Sequence, residues 1–341
     1  MRKPFFTLTD GRCAEIFTLR SANGLIARIT NYGGTIVDLI VPDRHGNPVD
    51  VSLGFDDPRD YERNFTYFGA MIGRVGNRIA NASFSLDGKE YHVVDNERGN
   101  SLHGGLGFSH RLWDVAEAAE DQLVLTLTSP DGDAGFPGNL KVKVTYRVTA
   151  DNALDILMEA VTDAPTVVSL TNHCYFNIAG HDAGTLDDQT IRIFAPCFQE
   201  VDAALIPTGN QPATQSVFAG LEEGVGFRTV FDSGVEPDHN FLIAERPDGI
   251  CRKAAEVTSA KTGITLTVSG DGCGVQWYAC GGLSAAAVGK GGKGYCRHGG
   301  FCLEMQDYVD APNRPEYPSI RLEPGEVYSR CIRYAFDNSE K

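Results

Sequence analysis

The chain has 341 residues, of which 42% are hydrophobic and 22% charged, and its formal net charge is −15. This much apolar material supports a folded core and argues against intrinsic disorder. The acidic balance argues against nucleic acid and against anionic membrane surfaces as partners, because both repel a negatively charged protein.

The first residues carry charge and only a short apolar run at Phe5-Phe6, which is too short for the core of a signal peptide. No stretch approaches the roughly 18 apolar residues that span a bilayer. The nine cysteines are scattered between Cys13 and Cys331 without a CxxC pair. This spacing favours reduced thiols over a disulfide framework and argues against a zinc site. We therefore expect a cytoplasmic protein without a bound metal.

Alternating apolar and polar residues predict antiparallel strands along the chain. The dipeptide Asp87-Gly88 predicts a hairpin turn between the strands predicted at Ser83–Leu86 and Lys89–Val94. No amphipathic helix of a dozen residues is evident. The pattern indicates an all-β protein, a large antiparallel β-sandwich forming a single domain over 1–341. The predicted strands are Ser83–Leu86, Lys89–Val94, Leu123–Thr128, Lys141–Thr149, Leu154–Val161 and Gly263–Val268.

The segment Gly281–Gly300 is rich in glycine and contains Gly289-Lys290-Gly291-Gly292-Lys293-Gly294. It lacks the GxxxxGK[ST] spacing of a phosphate loop, and no strand-then-helix pattern surrounds it. We interpret it as a mobile surface loop.

Several polar residues stand among apolar ones and are candidates for chemistry. Glu304 lies in Phe-Cys-Leu-Glu-Met, where alternation places it on the same face as Cys302, so its carboxylate is either paired or desolvated. His173 is as compatible with a satisfied core histidine as with a catalytic one. His103, beside two glycines, fits a tight turn, and Arg78 fits a surface ion pair.

Two further segments carry weaker signals. Asp238-His239-Asn240 is a sequence typical of turns. Gln276 next to Trp277 suits a sugar site, because aromatic faces and amides recognise hydroxyl-rich ligands, although a buried aromatic with a chance neighbour is commoner. Taken singly, these residues indicate no particular reaction.

Read together and in order, the polar segments resemble the aldose 1-epimerase (galactose mutarotase) family over nearly the whole chain. The motifs that carry the resemblance are Asn31-Tyr32-Gly33-Gly34, Gly73-Arg74-Val75-Gly76-Asn77-Arg78-Ile79, Asn100-Ser101-Leu102-His103-Gly104-Gly105, Asp131–Leu140, Leu170-Thr171-Asn172-His173-Cys174-Tyr175-Phe176-Asn177, Leu205-Ile206-Pro207-Thr208-Gly209, Asp238-His239-Asn240-Phe241, Phe301-Cys302-Leu303-Glu304-Met305-Gln306 and Pro324-Gly325-Glu326.

The resemblance implies a galactose mutarotase-like supersandwich with a sugar cleft on one sheet. It implies Glu304 as general base and His173 as general acid, with no cofactor and no metal. Small sugars are then the expected partners, and the implied substrate-binding residues are Asn77, Arg78, His103, Asp238 and Gln276. Met305, and Ala279-Cys280-Gly281 after Tyr278, depart from the family pattern at the rim of the cleft, which leaves the sugar preference open.

The implied chemistry needs one base and one acid, because an aldose ring opens when the anomeric hydroxyl loses a proton and the ring oxygen gains one. Free Glu titrates at about 4.3 and free His at about 6.5, so a protonated His173 at about pH 7 needs a raised pKa. We expect carboxylates in the cleft to raise it. A bell-shaped rate profile with His173 on the alkaline limb should result.

Two alternatives remain at this point. A hexose-6-phosphate 1-epimerase would need a basic cluster for the phosphate, which Lys290, Lys293 and Arg297 could supply. A non-catalytic sugar-binding protein on the same scaffold would have no use for an acid/base pair.

Overall fold

The computed structural model describes residues 1–63, 66–105, 107–283 and 288–338. Strands dominate these residues, and the two α-helices, α1 (Asp60–Arg63) and α2 (Phe227–Asp232), are short. Neither helix is long and apolar enough to cross a membrane. Single 3₁₀ turns occur at Ala80–Ala82, Phe108–His110, Asp133–Gly135, Thr214–Ser216, Lys290–Gly292 and Ala311–Asn313.

The strands of the first third of the chain are β1 (Arg2–Thr7), β2 (Cys13–Arg20), β3 (Ile26–Thr30), β4 (Thr35–Pro42), β5 (Pro48–Asp50), β6 (Met71–Ile72), β7 (Arg78–Ile79), β8 (Ser83–Leu86), β9 (Lys89–His92), β10 (Ser101–Leu102) and β11 (Asp114–Ala118). Those that follow are β12 (Gln122–Ser129), β13 (Leu140–Val148), β14 (Ala153–Thr162), β15 (Thr166–Val167), β16 (Thr171–Asn172), β17 (Tyr175–Phe176), β18 (Gln189–Ile193), β19 (Cys197–Phe198), β20 (Val225–Gly226), β21 (Asp238–Leu242), β22 (Arg252–Ser259), β23 (Thr265–Gly270), β24 (Gly274–Tyr278), β25 (Phe301–Gln306), β26 (Arg321–Leu322) and β27 (Tyr328–Asp337).

Three antiparallel sheets form the body of the protein. The largest has nine strands in the order β11-β12-β13-β14-β27-β23-β22-β18-β20. A five-stranded sheet has the order β1-β2-β3-β4-β5, and another, here called the cleft sheet, has the order β17-β25-β24-β21-β19. The two-stranded pairs are β10-β7, β15-β26, β16-β6 and β8-β9.

One continuous apolar core joins the three sheets. Val144 and Ile156 of the nine-stranded sheet, Phe17 and Leu39 of the first five-stranded sheet, and Trp277 of the cleft sheet all belong to it and are at most 2% exposed. The nine-stranded sheet packs on one side of this core and the two smaller sheets on the other. These packed antiparallel sheets confirm the predicted all-β sandwich. The sheets pack together because half-buried strands are stable only when their apolar faces meet.

The six strands predicted from alternation lie within two residues of observed strands. The hairpin around Asp87-Gly88 and the strands β12, β13 and β14 lie where the sequence predicts them. The turn expected at Asp238-His239-Asn240 is wrong: these residues begin β21 and pair with β24. Cross-strand pairing satisfies their backbone groups, which outweighs the local preference of Asp and Asn for turns.

Arg74 fixes the loops beside the cleft sheet. Its side chain is buried and donates hydrogen bonds to the backbone carbonyls of Ser129, Pro130, Pro137 and Gly138 at 2.7–2.9 Å. These carbonyls lie at the two ends of the Asp131-containing loop, so the guanidinium of Arg74 ties that loop to the segment between β6 and β7. The role of Arg74 is therefore structural.

Candidate active site

Alternation along β25 separates the core from the cleft. Phe301, Leu303 and Met305 point into the apolar core, and Cys302 and Glu304 lie on the opposite face of the strand. All six residues of β25 are nevertheless buried, so this strand is covered on both faces. The carboxylate of Glu304 is thus held on a central strand of a packed sheet.

Register brings further polar side chains beside Glu304. Gln276 on β24 pairs directly with Glu304, and Asp238 on β21 pairs with Tyr278 of β24. Nε2 of Gln276 donates a hydrogen bond to Oδ1 of Asp238 at 2.6 Å. The cleft sheet therefore presents a carboxylate, an amide and a second carboxylate on neighbouring strands.

His173 follows β16 and enters the site from the edge of the cleft sheet. Its backbone N–H donates to the carbonyl of Ala70 at 2.9 Å, and its carbonyl accepts from the N–H of Gly69 at 2.9 Å. The imidazole is 5% exposed, and its Nε2 lies 3.7 Å from Oε1 of Glu304. An imidazole and a carboxylate thus face each other at a distance that one small substrate group can bridge.

The opposite wall is built by the pair β7–β10. Arg78 pairs with Leu102, and the next residue, His103, donates its backbone N–H to the carbonyl of Asn77 at 2.9 Å. In return, the backbone N–H of Asn77 donates to Nδ1 of His103 at 3.2 Å. Asn77 and His103 both have φ near +60°, so two adjacent left-handed residues turn their side chains into the cleft.

This hydrogen bond fixes the tautomer of His103. Because Nδ1 accepts a hydrogen bond from the backbone N–H of Asn77, a neutral ring must carry its own proton on Nε2, which makes Nε2 a donor toward the cleft. The ligand atoms of His103, His173 and Glu304 lie within 4.8 Å of one another, a spacing that could hold a metal ion. A metal needs a bare Nε2 on His103, so the tautomer opposes such a site.

Burial shifts the proton affinities of the site in opposite directions. It raises the pKa of Glu304 well above its usual range, with Asp238 adding to the rise and Arg78 opposing it. Burial lowers the pKa of His173 to about 4. The expectation that cleft carboxylates hold up the pKa of His173 is therefore wrong, because desolvation of the ring is the largest effect and the opposing effect comes from a backbone hydrogen bond at His173.

A neutral Glu304–His173 pair still holds one transferable proton. Protonated Glu304 beside neutral His173 contains as many protons as ionised Glu304 beside imidazolium, and the net charge is the same. Moving the proton between the two groups therefore requires no exchange with solvent. Burial also raises the pKa of Asp238, while Arg78 and Gln276 lower it.

An open cleft of about 540 Å³ contains these groups, a size suited to a small-molecule ligand. All the residues that the sequence nominated are brought together along it: Asn77, Arg78, His103, His173, Asp238, Gln276 and Glu304.

Sequence reasoning missed Glu97. Its two carboxylate oxygens accept from Nε and one terminal nitrogen of Arg78 at 2.6 and 2.8 Å, and the guanidinium is only 8% exposed. This bidentate pair holds Arg78 against the cleft. Nothing in the stretch Asn96-Glu97-Arg98-Gly99 distinguishes Glu97 from an ordinary turn residue, so its role follows from the pairing of distant strands.

The aromatic rings that line the cleft belong to tyrosines. Trp277 is fully buried in the core, the commoner of the two outcomes weighed for it, whereas Tyr67, Tyr175 and Tyr278 line the cleft. The ring of His173 lies nearly parallel to Tyr175, at 4.9 Å between centroids, and to Tyr67, at 5.9 Å. Alternation explains the burial of Trp277, because Trp277 and Gln276 are neighbours in one strand and must point to opposite faces.

The basic cluster proposed for a phosphate does not form. Lys290 is buried, and its Nζ contacts Asp38 at 3.0 Å and Asp50 at 2.6 Å. Burial alone would lower the pKa of Lys290, but the two carboxylates raise it. The 3₁₀ turn at Lys290–Gly292 is therefore tied to β4 and β5 rather than extended toward a ligand. Residues 284–287 of the glycine-rich segment lie outside the described residues.

At the mouth of the cleft, Arg297 and His298 from the end of the glycine-rich segment form a charged cluster with Glu236. Glu236 accepts hydrogen bonds from Arg297 and from Nε2 of His298, the latter at 2.9 Å. Glu236 and Arg297 both line the cleft. Its walls therefore carry the carboxyl groups of Glu97, Glu236, Asp238 and Glu304 and the guanidinium groups of Arg78 and Arg297.

A family model described as aldose 1-epimerase matches residues 15–335. A galactose mutarotase from Rattus norvegicus is 40% identical over 333 residues, which cover 96% of this chain and 95% of the relative. The chain belongs to the aldose 1-epimerase family. An aldose 1-epimerase from Escherichia coli is 32% identical over 336 residues, covering 96% of each chain.

Solved structures agree with membership of the aldose 1-epimerase family. A crystal structure of an aldose epimerase homologue from C. elegans superposes with a TM-score of 0.90 at 28% identity, covering 96% of this chain and 100% of the other. A galactose 1-epimerase from Lactobacillus acidophilus shares the fold, with a TM-score of 0.86 at 22% identity and coverage of 100% and 99%. The chain is thus an isomerase of the aldose 1-epimerase type acting on sugars.

Proposed function

We propose that this chain interconverts the α and β anomers of a free aldose such as galactose or glucose, with Glu304 as general base and His173 as general acid. The observation that carries the proposal is the approach of Nε2 of His173 to Oε1 of Glu304 at 3.7 Å inside an open cleft. An anomeric carbon bears both oxygens that exchange protons in the reaction, so a base and an acid this close address a single centre.

In the proposed reaction, the Glu304 carboxylate takes the proton of the anomeric hydroxyl as the bond between C1 and the ring oxygen breaks. The His173 imidazolium gives its proton to that ring oxygen. The open-chain aldehyde then rotates about C1–C2, and the reverse transfers close the ring on the other face. After ring opening, Glu304 is protonated and His173 neutral, which is the arrangement that burial of both groups favours.

The remaining cleft residues supply donors and acceptors for hydroxyl groups. His103 offers Nε2–H, Arg78 offers guanidinium N–H groups, and Asp238 accepts. Asn77 and Gln276 have amides that both donate and accept. We assign these five residues to substrate binding, since a sugar hydroxyl is recognised by such paired donors and acceptors.

The charge of the cleft favours a neutral sugar over a hexose 6-phosphate. Four carboxyl groups line it against two guanidinium groups, and Lys290 is occupied by Asp38 and Asp50. Both guanidinium groups are already paired with carboxylates, Arg78 with Glu97 and Arg297 with Glu236, so neither is free to bind a phosphate dianion. The formal net charge of −15 likewise disfavours nucleic acid and membrane surfaces as partners, and we expect the protein in the cytoplasm.

Polarimetry tests the proposal. Freshly dissolved α-D-galactose and α-D-glucose should approach anomeric equilibrium faster with wild-type protein than in buffer, and Glu304→Gln and His173→Gln should each abolish the acceleration while remaining folded. Acceleration of the 6-phosphates alone would favour the phosphate-sugar alternative. Binding of free sugar without any acceleration would favour a non-catalytic sugar-binding protein.

A further inference from the structure

A chain of three hydrogen-bonded side chains runs from the lining of the cleft into the interior. Nε2 of Gln306 donates to Oε1 of Gln276 at 3.4 Å, and Nε2 of Gln276 donates to Oδ1 of Asp238 at 2.6 Å. Gln276 and Asp238 line the cleft, whereas Gln306 is 3% exposed and lies outside the lining. Gln306 therefore contacts Gln276 from the side away from the sugar.

Strand register explains how Gln306 reaches Gln276. Gln276 pairs with Glu304, and Gly274 pairs with Gln306, so the two glutamines are diagonal neighbours on one face of the cleft sheet. Diagonal positions are within reach of long side chains. Gly274 keeps the space between them open, because a Cβ atom there would lie only 2.5 Å from Oδ1 of Asn240.

The orientation of the Gln276 amide depends on its hydrogen-bond partners, because the two ends of an amide are nearly equal in size. An ionised Asp238 can only accept, which requires Nε2 of Gln276 on its side. Burial nevertheless raises the pKa of Asp238, and a protonated carboxyl group could donate to Oε1 of a reversed amide. Asp238 by itself therefore does not fix the orientation of Gln276.

Gln306 supplies the second constraint. Reversing the Gln276 amide alone would bring the two Nε2 groups together, donor against donor. Reversing both amides would direct Oε1 of Gln276 at the carboxylate of Asp238, acceptor against acceptor. The observed direction is thus the one in which each donor of the chain meets an acceptor while Asp238 is ionised.

We propose that Gln306 is a positioning residue for substrate binding, which holds the Gln276 amide with Nε2 toward Asp238 so that an N–H donor and a carboxylate acceptor stand side by side in the cleft. The proposal rests on the proposed roles of Gln276 and Asp238 in binding a free aldose. One N–H of Gln276 is committed to Asp238, and the second can serve a hydroxyl group. A fixed donor beside a fixed acceptor matches two adjacent hydroxyl groups of a sugar.

The test replaces Gln306 by methionine, which keeps the length of the side chain and removes its amide, with Gln306→Leu as a second apolar variant. Gln189→Met is the matched control. Gln189 is 1% exposed on β18, and its Nε2 likewise donates to a side-chain carbonyl, Oδ1 of Asn177, at 2.8 Å. The Oε1 atoms of Gln306 and Gln189 are both without a hydrogen-bond partner among the described residues.

Polarimetry gives kcat and KM for α-D-galactose, calorimetric titration gives the Kd, and circular dichroism checks the fold of each variant. Gln306→Met and Gln306→Leu should raise KM and Kd about 2- to 12-fold, as expected for one lost hydrogen bond, with kcat within about twofold of wild type. Gln189→Met should leave all three values within about twofold. In a Gln276→Met background, Gln306→Met should change kcat/KM by less than about twofold, because no amide is left to position.

The proposal is overturned if the folded Gln306 variants match Gln189→Met in KM and Kd. It is also overturned if Gln306→Met costs as much in the Gln276→Met background as in wild type, because Gln306 would then act through packing. A fall in kcat at unchanged KM overturns it as well. A wild type that binds galactose without accelerating mutarotation refutes the proposed function instead, and the Kd values still decide the role of Gln306.

Discussion

Replacing Glu304 by glutamine removes one ionisable group from the cleft while keeping the size and shape of the side chain. The residue is 2% exposed, and its Oε2 atom has no hydrogen-bond partner among the described residues. The substitution therefore breaks no hydrogen bond of Oε2. Any loss of activity in a folded variant then reports the missing base rather than a disturbed sheet.

The expected loss is large because a positioned general base contributes about 10²–10⁴-fold to a rate. At about 1.36 kcal/mol per tenfold, this corresponds to about 2.7–5.4 kcal/mol of lost transition-state stabilisation. The amide of glutamine cannot accept the anomeric proton, so the loss should fall on kcat. Polarimetry with α-D-galactose measures it, and Glu120→Gln, on an exposed carboxylate, is the matched control.

The same change should stabilise the fold above mildly acidic pH. A carboxyl group whose pKa is raised in the folded state binds more protons folded than unfolded, so wild-type stability falls as pH rises from the unfolded pKa to the folded pKa. Glu304→Gln lacks this loss. Its advantage over wild type should be small near pH 4 and grow toward neutral pH, reaching about 1–3 kcal/mol.

Thermal unfolding at several pH values measures this difference. A folded Glu304→Gln variant that keeps more than a tenth of the wild-type kcat would refute Glu304 as the base. A Tm difference that does not change with pH would refute the inference that Glu304 is strained by burial. Gain of stability with loss of activity is the signature expected of a buried catalytic carboxylate.

Three further predictions follow from the charges around the cleft. The value of kcat/KM should be highest while the Glu304–His173 pair holds one transferable proton. In a pH profile of kcat/KM, this range runs from about pH 4, below which the imidazole is also protonated, up to the raised pKa of Glu304. An alkaline limb near the ordinary histidine pKa would contradict this. Glu97→Gln should lower kcat/KM by about 10- to 150-fold, because the charge-assisted pair that holds Arg78 is worth about 1.5–3 kcal/mol. Steady-state kinetics measures this, and an unchanged value would show that Glu97 does not position Arg78. Lys290→Met should lower the free energy of unfolding by about 3–5 kcal/mol because two buried carboxylates lose their cation, and adding Asp50→Asn should recover part of it; denaturant unfolding checks both, and equal stability of wild type and Lys290→Met would refute the assignment.

Local alternation was enough to predict six strands, among them β12, β13 and β14, because alternation depends on neighbouring residues alone. It also placed Glu304 on the same face of its strand as Cys302. The turn propensity of Asp and Asn misled at Asp238, which begins a strand because pairing with β24 overrides the local preference.

Tertiary packing set which distant residues meet and in which direction burial shifts their pKa values. Glu97 and Arg78 come together through the pairing of β7 with β10, and Lys290 reaches Asp50 from the far end of the chain. Neither contact has a local signal, because register between distant strands is set by how whole sheets pack. The lowered pKa of His173 likewise depends on the groups that surround its ring, and desolvation is a property of the assembled site rather than of neighbouring residues in sequence.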